Sequence, residues 1–71
     1  MYSAAEFWDI LQKHGIELTD QYAADGRSRF CKPPNGDWCV ISCHDEIPDY
    51  VVDRVLIQCG CIPPPSYEHL N

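Results

Sequence analysis

Apolar residues at the start of the chain recur with the period of a helix. Phe7, Ile10, Leu11 and His14 stand at i, i+3, i+4 and i+7, which is one helical face. Ser3-Ala4-Ala5-Glu6 has the S-x-x-E form of a capping box, in which each side chain satisfies a free backbone donor at the other residue. Gly15 offers the left-handed conformation that ends a helix, with Ile16 placed for the closing apolar contact. The pattern predicts a helix over residues 4–14.

The period then changes to two. Ile16, Leu18, Tyr22 and Ala24 share one parity, interrupted by Asp20, and Asp25-Gly26 is a two-residue hairpin signal. A short helical turn over 20–24, capped by Thr19 or Asp20, is the alternative for this stretch. Residues 27–32 read as the returning strand. Pro33-Pro34-Asn35-Gly36-Asp37 reads as a second turn, because proline cannot donate to a ladder. Residues 38–43, rich in aromatic and β-branched types, read as a third strand. Pro48 suits a first helical position, Val51, Val52, Val55, Leu56 and Cys59 form an apolar stripe, and Gly60 closes it. Three prolines follow Cys61 and Ile62, so 63–71 is expected to be an extended or mobile tail on a domain of residues 1–62.

This order predicts an α+β fold. It is a two-layer αβββα domain, a three-stranded antiparallel sheet with both helices on one face. If Lys32 faces Trp38 across the 33–37 loop, Phe30 faces Val40 and Cys31 faces Cys39. Leu18, Tyr22, Cys31, Cys39, Ile41 and Cys43 then line the helix side. Phe30, Trp38 and Val40 fall on the other side, where no element is left to cover them, and an uncovered apolar patch marks a binding surface. A one-residue slip of register would place those three in the core instead.

Composition narrows the function. Seventy-one residues make one domain with a thin core, burying about 60% of the surface of the unfolded chain. Eleven acidic against five basic residues give a net charge of −6. That balance argues against direct nucleic-acid binding, which needs Lys and Arg for phosphates. It fits a partner with a basic surface, the alternative being that the charge only keeps the chain soluble. No apolar run reaches the ~20 residues of a membrane span, and residues 1–7 lack the pattern of a signal peptide, so a cytoplasmic location in a host cell is expected.

Five cysteines and His44 raise the question of metal. Cys39 and Cys43 on one strand would lie about 13 Å apart, too far for one tetrahedral zinc. No metal or cofactor is therefore expected; a Cys31–Cys39 disulfide would fit opposed strand positions in an oxidising setting. His44-Asp45-Glu46 matches the H-x-E opening of zinc deaminases without the P-C-x-x-C half. Cys43 and His44, as strand neighbours, point to opposite faces and form no nucleophile pair. His14 at a helix end has a structural role against the free carbonyls. No catalytic residue is assigned. Asp45, Glu46, Asp49 and Asp53 cluster near the start of the second helix, where acids either complement the helix dipole or present charge to Lys and Arg of a partner.

Two resemblances follow. The helix, the Gly-containing turn, Phe30-Cys31-Lys32-Pro33-Pro34-Asn35-Gly36, then Cys39-Val40-Ile41-Ser42-Cys43-His44 and Val55 to Ile62 resemble the layout of HicA-type toxins, small RNA-cleaving proteins with a dsRBD-like αβββα fold. That family carries its catalytic His in Gly-Ser-His; the matching stretch here, Gly26-Arg27-Ser28-Arg29, has none, so the likeness implies the fold rather than the activity. In size, charge and architecture the chain resembles acidic anti-CRISPR inhibitors. That resemblance implies a stoichiometric inhibitor, not an enzyme, that binds a basic protein surface such as a CRISPR effector complex. Asp45, Glu46, Asp49 and Asp53 would supply charge, and Phe30 and Trp38 apolar anchors. A HicA-like RNA-cleaving or degenerate RNA-binding protein, and a zinc- or disulfide-stabilised structural module, are the alternatives.

Overall fold

The first helix begins where its side chains dictate. The Ser3 hydroxyl accepts from the Glu6 amide at 3.2 Å, and the Glu6 carboxylate accepts from the Ser3 amide at 3.0 Å. In the computed structural model, which describes residues 1–65, α1 accordingly spans Ala4–Lys13. His14 caps its C-terminus and donates from Nδ1 to the Ile10 carbonyl at 2.9 Å. Gly15 follows at φ +89°, a left-handed conformation that a side chain would strain.

Three strands come next, β1 (Glu17–Tyr22), β2 (Ser28–Lys32) and β3 (Cys39–Ser42), and then α2 (Asp49–Gln58). The sheet is antiparallel in the order β1-β2-β3, so the fold is the α+β arrangement that the sequence predicts. The β2–β3 register pairs Phe30 with Val40 and Cys31 with Cys39, as the length of the 33–37 loop implies.

The stretch 16–24 forms β1 over Glu17–Tyr22 and turns at Ala24, so the alternative helical turn over 20–24 does not form. The strand carries a bulge. Between the pairs Leu18–Cys31 and Tyr22–Arg29, Thr19, Asp20 and Gln21 stand opposite Phe30 alone. The Thr19 hydroxyl compensates by donating to the Phe30 carbonyl at 2.7 Å. Two extra residues leave the parity intact, so Tyr22 stays on the side of Leu18.

The first turn is longer than the two residues expected. Gly26 donates to the Ala23 carbonyl at 2.9 Å, which makes Ala24 and Asp25 the central pair and leaves Gly26 at φ +72°. Asp25 Oδ1 accepts the amides of Arg27 and Ser28, each at 2.8 Å, and closes the loop. Pro48 is the N-cap of α2 rather than its first helical residue, and no side chain caps that end.

The core lies between the sheet and the helices. Phe7, Leu11, Ile16 and Cys31 are sealed from solvent, joined by Ile41, Cys43, Val52 and Leu56. Ile47 belongs with them at 2% exposure, held by paired backbone hydrogen bonds with Tyr2. Pro63, Pro64 and Pro65 are exposed and carry no regular structure; the rest of the expected tail, 66–71, lies outside the described residues. No helix among the described residues is long and apolar enough to cross a membrane.

Candidate binding surfaces

Alternation along β2 and β3 decides which side chains are left uncovered. Cys31 and Ile41 point into the core, so their neighbours Phe30 and Val40 point away from it. Phe30, Val40 and Trp38 are 38%, 49% and 51% exposed. Thr19 and Gln21, which alternate with Leu18 and Tyr22, join Phe30 and Trp38 around a shallow depression of about 360 Å³. At the other end the Ser28 and Ser42 hydroxyls meet at 2.9 Å, and Ser28 also donates to Asp25 Oδ2 at 2.7 Å. The outer face is thus apolar at one end and closed by a satisfied polar cluster at the other.

The acidic residues form a different surface. At 100° per residue, Asp49 and Asp53 share one flank of α2, while Val51 and Val55 share the opposite flank. Asp49 reaches the amino terminus at 3.7 Å and Asp45 reaches Arg27 at 3.9 Å, both largely exposed. Surface pairs of this kind contribute little and leave the carboxylates open to a partner. Asp45 and Glu46 occupy the loop ahead of α2, outside its dipole-stabilised first turn. The six residues singled out in the sequence therefore divide between two surfaces. Phe30 and Trp38 lie on the outer sheet face, and the four acids lie along the loop and flank on the helix side.

Arg29 is withdrawn from either surface. Its guanidinium carbon lies 5.3 Å from the Trp8 ring centroid and 5.2 Å from that of Tyr22, its Nε donates to the Thr19 carbonyl, and it pairs with Asp20 at 3.7 Å.

All five cysteines carry free thiols. Burial pushes the Cys31 thiol up to about 11 and raises those of Cys43, Cys59 and Cys61. Thiols shifted this way are poor nucleophiles and poor metal ligands at neutral pH. Cys43 donates to the carbonyl of His44 at 3.4 Å and stays buried, while the imidazole is exposed. Among the described residues no group of three or more His, Cys, Asp or Glu is placed to hold a metal ion.

The fold and these surfaces define a small α+β domain. No family model matches the chain, and neither comparison with curated proteins nor comparison with solved structures gives a match.

Proposed function

We propose that this chain is a stoichiometric binding protein that inhibits by occupying a basic, nucleic-acid-handling surface of a larger complex, in the manner of the acidic anti-CRISPR inhibitors. The observation that carries the reading is the outer face, where Phe30, Val40 and Trp38 stay 38%, 49% and 51% exposed and no element among the described residues covers them. Large apolar side chains left open on a small domain are the anchors of protein interfaces. The exposed carboxylates of Asp45, Glu46, Asp49 and Asp53 add a field that speeds encounter with a basic partner and makes it salt-sensitive. Because the two surfaces lie on different sides, the apolar face makes the contact and the acids on the helix side steer the approach.

The test is a pull-down with the tagged chain from a CRISPR-bearing bacterial lysate, at low and at high salt. The Trp38→Ala variant and the Asp49→Lys/Asp53→Lys double variant run beside the parent. Capture of a nucleic-acid-handling complex that is lost with Trp38→Ala and weakened by the double variant supports the reading. Capture unchanged in both variants overturns it.

The α-β-β-β-α element order favours one second reading, a HicA-like RNA-cleaving protein. RNA cleavage by the purified chain that disappears in His44→Ala would move the assignment there.

A further inference from the structure

The two edges of the sheet differ. On β1 the bulge at Thr19, Asp20 and Gln21 interrupts the ladder, a device that blunts an edge against further pairing. Among the described residues no such device protects β3. The Cys43 amide donates to Arg27 at 3.2 Å, so bonded pairs run on through Ile41–Arg29 and Cys39–Cys31. Val40 and Ser42 then turn their N–H and C=O groups away from β2, towards the open edge. The side chains of Cys39–Ser42 carry no charge there.

Beside this edge runs a groove of about 720 Å³, walled by Cys39, Val40 and Ser42 on one side and by Val51 and Val55 of α2 and its C-cap Cys59 on the other. The helix wall is the apolar flank opposite Asp49 and Asp53. Among the described residues no Lys or Arg lines the groove, and Asp37 does. Past β3 the chain runs through His44, which lines the groove, into Asp45 and Glu46, so acids follow the exposed strand within four residues of Ser42.

We propose that the β3 edge is a strand-addition site for an extended peptide segment of a partner protein, with apolar residues alternating along it and a basic residue at each end. The unpaired groups of Val40 and Ser42 supply main-chain hydrogen bonds, Val51 and Val55 receive alternate side chains, and Asp37 and Glu46 meet the end charges. A second copy of this chain fits less well, because two protomers at −6 each would bring like-charged ends together. The site shares Val40 and Glu46 with the surfaces of the proposed function, but Val51 and Val55 belong to it alone, so loss of peptide binding in Val51→Gln and loss of capture in Trp38→Ala tell the two readings apart.

A fluorescein-labelled peptide of alternating Val and Thr with a Lys at each end tests it by fluorescence anisotropy on the full chain. Saturable binding is expected. It should weaken about tenfold or more in Val40→Pro, which removes one outward donor, and in Val51→Gln, which alters only the helix wall. Circular dichroism checks that both variants keep the fold. Hydrogen exchange followed by NMR should show the Val40 and Ser42 amides slowed on binding. Four results would each overturn the proposal: no saturable binding up to about 1 mM, equal affinity for a Glu-ended peptide, unchanged exchange at both amides, or unchanged affinity in both variants. Dimerisation of the parent that Val40→Pro abolishes would assign the edge to a second copy instead.

Discussion

Arg29 lies over the ring of Trp8, its guanidinium carbon 5.3 Å from the centroid, and so ties β2 to α1 through a contact that is neither apolar nor a simple ion pair. The same carbon sits 5.2 Å from the Tyr22 centroid, and the side chain is 16% exposed. A stacked, partly desolvated guanidinium of this kind is worth about 1–2 kcal/mol. Arg29→Ala should therefore lower the unfolding temperature by roughly 4–16 °C for a domain of this size, read by circular dichroism. Arg29→Lys should recover less than half of the loss, because an ammonium lacks the planar group that stacks while donating to Thr19. Full recovery by lysine would mean that charge alone matters at this position.

The first turn gives the chain a pH dependence with a defined sign. The Asp25 carboxyl is lowered from 3.8 to about 2, first by the Ser28 hydroxyl and then by the Ser28 and Arg27 amides. A value lower in the folded than in the unfolded chain means stability that is complete above pH 3.8 and drains away as the pH falls towards 2. Asp25→Ala should melt below the parent at neutral pH, and the gap should close across that acid window. Thermal melts of both proteins from neutral pH down to about pH 2 provide the comparison. A gap that stays constant with pH would show that the carboxylate charge is not what closes the loop.

Leu11 is fully sealed in the core, facing the sheet from α1. Leu11→Ala should cost about 2–5 kcal/mol through lost burial and the cavity it leaves. A single core in so short a chain rarely supplies more than about 3–5 kcal/mol, so this one change should leave much of the protein unfolded at room temperature. Leu11→Met, which keeps the volume, should cost under about 1.5 kcal/mol. Urea denaturation of the two variants separates a packing requirement from a general intolerance of change.

What the sequence made legible were the features whose causes are local. α1 declares itself by the Ser3–Glu6 box and Gly15, and both act as written. The Phe30–Val40 register followed from the length of one loop, and with it the exposure of Phe30, Trp38 and Val40. The bulge was not legible, because it depends on Thr19 reaching across to the Phe30 carbonyl, eleven residues away. Ile47 stands alone between Glu46 and Pro48 with no period to mark it, and its burial comes from pairing with Tyr2. The acids near α2 were visible as a cluster, but which side of the molecule they face depends on how the helix is rotated against the sheet. That rotation, set by Val52 and Leu56 in the core, also places Val51 and Val55 beside β3 and creates the groove there. Tertiary packing made both surfaces, so no stretch of sequence announces them.

The cysteines give a final check on the packing of β2 beneath the helices. Cys31 has no exposed surface, donates weakly to the Arg29 carbonyl at 3.4 Å, and is pushed up to about 11 chiefly by burial. At pH 8 only about one in a thousand of such thiols is ionised, and alkylation needs the thiolate. Cys39, Cys59 and Cys61 are only half buried. Iodoacetamide at pH 8 should therefore modify these three well before Cys31, with the buried Cys43 also slow. Cys31 should react only as fast as the whole domain opens, so its rate should rise steeply in urea while theirs changes little. Peptide mass spectrometry of timed samples resolves all five sites. Native-state labelling of Cys31 as fast as Cys61 would mean that β2 is not covered on its inner face, and the two-layer arrangement would have to be abandoned.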